Sequence, residues 1–315
     1  MNLQHQPAND AARVLPQRPA ASKFNLPDLY KPSPELWAAV QTALHLGLPL
    51  LVTGEPGCGK TDLAAHIAWY YGLGKPEEFN GQTSSSVTDL FYRYDALRHF
   101  QHAQVMKTAL TPDIVERDYI QYQALGAAIK SGETRVVLLD EIDKAPRDLP
   151  NNLLAALDKL EFNVPETGDP LRYTFKAQAE QRPIILMTSN SEKGLPDPFL
   201  RRVAFFDIKF PAPADLLSIM RDKLEHFERL DAEKVVALFE RIRKAELGVL
   251  NKKPATAELL HWASALLKLG VDTAGLNDPK ALDSEQKVLL GHSLSVLAKT
   301  KNDLETLRKA IGLHA

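Results

Sequence analysis

The stretch "GEPGCGKT" at residues 54–61 sets a glycine, four residues and then Gly-Lys-Thr, which is the P-loop pattern. Glycines let the backbone turn tightly and aim successive N–H groups at phosphate oxygens. The lysine adds a compact positive charge for the outer phosphates, and the hydroxyl can ligate magnesium. On this reading Gly54, Glu55, Pro56, Gly57, Cys58, Gly59, Lys60, Thr61 and Asp62 bind nucleotide, and Thr61 is a magnesium ligand. Downstream, "RVVLLDEIDKAP" (135–146) ends a run of four aliphatics in two acids. A strand ending there puts Asp140 at the C-terminal edge of a sheet, beside the P-loop, where it can hold magnesium through water. Glu141 then points at the region of a hydrolytic water, which a carboxylate can polarise. Asp143 and Lys144 read as a solvated pair.

Two more stretches extend the pattern. "RPIILMTSN" (182–190) ends an apolar run in polar residues. Asn190 orients the attacking water or contacts the γ-phosphate, or else it caps a turn; beside the P-loop and the two acids, the site reading is preferred. "DPFLRRVAFF" (197–206) carries Arg201 and Arg202 side by side. Two adjacent arginines need an acidic counterpart, either a carboxylate of this chain or a charge outside it. A guanine-type Asn-Lys-x-Asp element is lacking, because "NKKP" at 251–254 has no Asp. Adenine is the expected base.

The elements that must position these residues alternate. Short apolar runs at 49–53, 135–140 and 182–189, with weaker candidates at 77–81 and 204–210, look like parallel strands buried on both faces. Helices lie between them, so the first part reads as a doubly wound α/β domain. Ser33 is placed to cap a helix that has Pro34 at its first position and closes at Gly47. Pro211 and Pro213 break any continuing element, and an all-helical domain is expected over 212–315. Residues 1–28, rich in Gln, Ala, Asn and Pro, read as a disordered arm. The stretch near 82–130 is long for one crossover and reads as an insertion. In it, Leu90, Tyr94 and Leu97 share a helical face that would pack inward; the competing reading takes the aromatics for base stacking and Arg93, Arg98 and His99 for phosphates.

Composition narrows the function class. The chain has 315 residues, 44% hydrophobic and 25% charged, with a formal net charge of −2 and one cysteine. That is a globular composition with no global field to draw in nucleic acid. One cysteine allows no intrachain disulfide and suits a cytoplasmic protein. The N-terminus has no apolar signal region, and no run approaches 18 apolar residues, so no membrane partner is expected.

Taken together, "PLLVTGEPGCGKT", "DLFYRYDALRHFQHAQ", "ALGAAI", "VVLLDEIDKAPRDLPNNLLAALD", "RPIILMTSNSEKGLPDPFLRRVAFF" and "KPATAELLHW" resemble an AAA+ ATPase of the MoxR type over residues 33–265. The resemblance implies a P-loop AAA+ core with a parallel sheet and a helix insert, followed by an all-helical lid domain. It makes Lys60 and Thr61 Walker A residues, Asp140 and Glu141 Walker B, and Asn190 sensor 1, and it puts the arginine finger in the Arg201/Arg202 pair. It implies ATP and Mg2+ as cofactors, a ring homo-oligomer (a hexamer), and chaperone-like remodelling of protein partners, often beside a von Willebrand factor A domain protein. A nucleic-acid motor or loader on the same core, and an ATP-gated scaffold with little turnover, are the alternatives. The lid's usual sensor 2 arginine is missing from "NKKPATAELLHW", which leaves Lys252, Lys253 or the upstream Arg243 as substitutes.

Overall fold

The computed structural model describes residues 23–106, 110–146, 149–190 and 194–312. They divide into two units, Pro32–Lys209 and a second in which Phe210 onward groups with the residues up to Lys31.

In the first unit, chain punctuation sets the elements. Ser33 accepts the N–H of Leu36 with its side chain and Pro34 opens helix α1 (Pro34–Leu46), which Gly47 ends in the left-handed conformation. Strand β1 (Leu50–Gly54) follows, then α2 (Lys60–Tyr71) and β2 (Glu77–Asn80). The long crossover holds α3 (Thr88–Phe91), β3 (Tyr92–Tyr94), α4 (Ala96–Met106), α5 (Pro112–Tyr119), β4 (Ile120–Tyr122) and α6 (Ala124–Ser131). The chain returns to the sheet as β5 (Val136–Asp140), continues through α7 (Leu149–Lys159) and the β6–β7 hairpin (Glu161–Asn163, Thr174–Lys176), and re-enters as β8 (Ile184–Ser189). A short α8 (Asp197–Leu200) leads into β9 (Ala204–Ile208).

Five strands form one parallel sheet in the order β2-β5-β8-β1-β9. All five expected strands are in it, β9 ending at Ile208 rather than 210. Leu51, Val137, Leu139 and Met187 are 0–1% exposed, as in a sheet covered on both faces. The C-terminal ends of β1, β5 and β8 therefore share one edge, which is where a doubly wound sheet binds ligands.

The insertion differs from the amphipathic helix expected there. The chain leaves helix at Tyr92 because β3 pairs antiparallel with β4, Tyr92 opposite Tyr122. Leu90 is fully buried and Tyr94 packs against the core, but Leu97, now on a separate helix, is 68% exposed. Aromatic rings join this ribbon to the β6–β7 hairpin: Phe91 stacks on Phe162 at 4.9 Å, Phe162 on Phe175 at 5.3 Å, and Tyr122 meets Phe175 edge-on at 5.6 Å. Tyr92 also donates its hydroxyl to Glu166 at 2.9 Å. Burial and the Glu166 carboxylate push the Tyr92 phenol up, so it stays a donor. Gly126 lets α6 lie on α3, since a Cβ there would sit 1.9 Å from the Phe91 carbonyl oxygen.

The second unit contains helices α9 (Pro213–Lys223), α10 (Ala232–Arg243), α11 (Thr256–Leu269), α12 (Ser284–Ser293) and α13 (Lys301–Ala310), with no strand among the described residues. Trp262 is fully buried and its indole N–H reaches Ser293 at 2.8 Å. The disordered arm expected over 1–28 needs a correction where the structure describes it. Residues 23–25 and 27–29 are short 3-10 helices. They pack on the helical unit, where the Phe24 ring meets His261 at 5.1 Å, Lys223 donates to the Phe24 carbonyl and Lys31 pairs with Asp222. Residues 1–22 lie outside the described residues. Among the described residues, no helix is long and apolar enough to cross a membrane.

Candidate functional site

The P-loop is the turn between β1 and α2. Gly57 and Gly59 have φ of 74° and 90°, in the region that disfavours side chains, and Gly54 has φ of 145°. A Cβ on Gly54 would also lie 2.6 Å from the Ile208 carbonyl oxygen, so the loop can pass β9 only without one. Helix α2 starts at Lys60 with Gly59 at its N-cap and no side-chain cap, leaving its first N–H groups to face an anion. Lys60 is 7% exposed and its ammonium donates to the Gly54 carbonyl at 2.8 Å and the Glu55 carbonyl at 3.0 Å. It is thus folded over the loop it belongs to. Glu55, Pro56 and Gly57 are exposed, whereas Cys58 is buried and Asp62 lies in the first turn of α2. Burial pushes the Cys58 thiol up, despite nearby Lys60, which makes it a poor thiolate.

Across the sheet edge, the residues predicted from sequence converge. The Thr61 hydroxyl lies 3.4 and 3.3 Å from the two Asp140 oxygens. The Asn190 amide donates to Glu141 Oε1 at 3.1 Å, so the end of β8 meets the residue after β5. An oxygen pair of this kind, a hydroxyl and a carboxylate with few further protein donors, fits a magnesium ion that keeps its waters and takes phosphate oxygens. Among the described residues, no cluster of three or more His, Cys, Asp or Glu side chains offers a fuller metal cage.

Three residues at this edge were not assigned from the sequence. Thr188, fully buried on β8, donates its hydroxyl to Asp140 and accepts the Glu141 N–H at 2.9 Å. Gly81 donates its N–H to the Asp140 carbonyl at 2.8 Å, and a Cβ there would lie 2.6 Å from the Glu141 carbonyl oxygen. Lys144, read as half of a solvated pair, instead reaches Glu141 Oε2 at 2.5 Å, while Asp143 is 3% exposed. The hydroxyl ahead of Ser189 and Asn190 was the available signal for Thr188; nothing in the text of the sequence marks Gly81.

Arg201 and Arg202 are not at this edge. Both are exposed, between α8 and the start of β9. The register sets Leu50 opposite Ala204 and Gly54 opposite Ile208, so the arginines stand at the N-terminal edge of the sheet and the P-loop at the C-terminal one. Four residue steps separate those pairs, about 13 Å at ~3.3 Å per residue. The two arginines border a cavity of about 550 Å³ with Val40, Leu44, Leu157 and Asp158. Arg202 comes within 3.7 Å of Asp158, an exposed pair of little weight. Among the described residues, no carboxylate pairs with Arg201.

In the helical unit, Arg243 is spoken for. It is 9% exposed, its guanidinium lies 3.4 Å from the centre of the Phe210 ring, and it donates to the Pro254 carbonyl. It supports the turn into α11. Lys252 and Lys253 are exposed on that turn.

Comparison with known proteins agrees with this geometry. Residues 49–203 match the AAA domain of the dynein-related subfamily. Over 207 residues the chain is 25% identical to a protein of Haloferax mediterranei named gas vesicle ATPase GvpN, a match covering 64% of this chain and 58% of that protein's length.

Proposed function

We propose that this chain, an AAA+ protein of the MoxR type, binds ATP with magnesium and hydrolyses it as part of a ring oligomer, using turnover to remodel protein partners. The observation that carries the hydrolytic reading is the meeting of Thr61 with Asp140, and of Glu141 with Asn190, at the sheet edge from which the P-loop leaves.

Roles follow from position. N–H groups of the loop Gly54–Gly59 and of the α2 N-terminus cradle the phosphates, and Lys60, now held by loop carbonyls, exchanges them for phosphate oxygens. Thr61 and Asp140 would hold magnesium, which when bound neutralises charge on the β- and γ-phosphates. Glu141 accepts a hydrogen bond from the attacking water and orients it, and Asn190 holds the Glu141 carboxylate. Within one chain Arg201 and Arg202 are a sheet's length from that chemistry, so their part as fingers belongs to a neighbouring copy, a hexamer being the expected ring. A remodelling role and a von Willebrand factor A domain partner rest on the resemblance.

Steady-state turnover of purified Glu141→Gln and Lys60→Ala tests the reading. Glu141→Gln should keep ATP and magnesium binding and lose turnover, and Lys60→Ala should lose nucleotide affinity. Wild-type turnover in both would sink it.

A further inference from the structure

Lys144 ends the single 3-10 turn Ile142–Lys144 that follows Glu141. The turn is closed by the Lys144 N–H to the Glu141 carbonyl at 2.9 Å and is anchored by Ile142 and Ala145, 1% and 4% exposed. Because its neighbours are buried, the backbone of Lys144 is anchored next to Glu141 while its side chain remains partly in solvent. It reaches Glu141 Oε2 at 2.5 Å, and the two side chains are 40% and 35% exposed.

Such a half-exposed pair adds little to stability, so its position calls for another account. Glu141 has φ of 53° and ψ of 47°, a left-handed backbone that non-glycine residues adopt at a cost and that only surrounding contacts maintain. Every handle on this residue is taken at this edge. Its N–H goes to Thr188 at 2.9 Å, Oε1 accepts from Asn190 at 3.1 Å and Oε2 accepts from Lys144. A glutamate left with free rotation would spend most of its time pointing elsewhere, and small misplacement of a catalytic group is costly. A carboxylate has about four acceptor sites, so two held ones still leave room for a water.

We propose that Lys144 is a positioning residue: its ammonium holds one oxygen of Glu141 while Asn190 holds the other, presenting the carboxylate to the water in a single orientation. The proposal rests on the reading of Glu141 as the residue that orients that water.

The test uses the full chain with Mg-ATP. Lys144→Met should lower kcat about 10- to 100-fold, with KM and the equilibrium affinity for a fluorescent ATP analogue unchanged. Lys144→Arg should recover most of the rate. In single-turnover assays, adding Lys144→Met to Glu141→Gln should cause no further loss, because the lysine acts only through that carboxylate. Wild-type or faster turnover in Lys144→Met overturns the proposal, as does a further tenfold loss in the double variant. Undiminished turnover in Glu141→Gln alone overturns the reading of Glu141 and the proposal with it. Should Lys144→Met fail to fold, Lys144→Gln carries the same expectations.

Discussion

The Thr188 hydroxyl on β8 donates to the Asp140 carboxylate at the end of β5. The same oxygen accepts the Glu141 N–H at 2.9 Å, so one buried side chain aims two consecutive acids, one toward Thr61 and one toward Asn190. Thr188→Val keeps the volume and removes both bonds. Turnover at fixed magnesium should fall about 10- to 100-fold, as for residues that orient a metal ligand, and the magnesium requirement should rise. Thr188→Ser should restore both. A magnesium titration of turnover with the three proteins decides it: an unchanged magnesium requirement in a folded Thr188→Val protein would refute the role.

Gly126 is a structural prediction of another kind. Its missing Cβ is filled by the Phe91 carbonyl, only 1.9 Å from where that atom would be, and the same carbonyl accepts the Gln123 N–H at 2.8 Å. Backbone cannot step aside as a side chain can. Gly126→Ala should destabilise the α/β unit by about 3 kcal/mol or more, read from the urea midpoint, whereas Gly74→Ala, with nothing within 4 Å, should cost only its backbone strain at φ of 75°. Equal midpoints for the two variants would contradict the packing described.

The contrast between Gly54 and Gly81 explains what was legible in the sequence. Gly54 sits in a spaced pattern whose chemistry requires glycine, and strand-like runs flank it, so the P-loop and the parallel sheet could be read directly. Gly81 serves the same edge but through a close approach to Glu141 from another strand, which no local pattern records. Tyr92 likewise follows a helical turn, and only its long-range pairing with Tyr122 makes it a strand. Lys144 was misread for a related reason: charge runs look solvated until the turn that aims them is known.

Arg243 should matter to stability rather than to nucleotide. Its guanidinium covers Phe210 and bonds the Pro254 carbonyl with little solvent access. Arg243→Met loses a desolvated cation–π contact and a charged hydrogen bond, together about 3 kcal/mol. Lys252→Ala and Lys253→Ala, at exposed positions, should leave the thermal midpoint unchanged. An unaltered midpoint in Arg243→Met would count against this placement.

Acid should loosen the protein through two carboxylates. For Glu116, burial raises the proton affinity, but the Lys130 ammonium and the Tyr122 hydroxyl, at 2.8 Å, outweigh it and hold the carboxyl below its ordinary value of 4.5. For Glu258, burial is outweighed by Lys299 at 3.1 Å and the Ala255 N–H at 3.0 Å. A folded-state value below the unfolded one means that the contribution is complete above about pH 4.5 and is lost as pH falls through the folded value. Urea midpoints measured from pH 6 to pH 3 should therefore fall, and Glu116→Gln should show a shallower fall from a lower starting midpoint. An identical slope in that variant would exclude Glu116 as a source.

The arginine pair makes the prediction with the widest consequence. Register alone sets Arg201 and Arg202 at the edge opposite the P-loop, and among the described residues the Arg202 guanidinium has a 3.7 Å exposed contact with Asp158. If a finger from a neighbouring copy completes each site, its loss should cost about 10³- to 10⁵-fold in turnover and should leave nucleotide binding by isolated chains intact. Mixing separates the two edges. Whichever of Arg201→Ala and Arg202→Ala removes the finger leaves chains with a sound P-loop and no finger, and Lys60→Ala chains have the reverse. Neither alone should turn over ATP, yet a mixture should, because a finger from the second meets a P-loop of the first. The arginine whose variant shows this rescue is the finger, and the other should respond like Asp158→Asn. Absence of rescue with both variants, in mixtures shown by sedimentation to co-assemble, would mean that the pair does not act between copies.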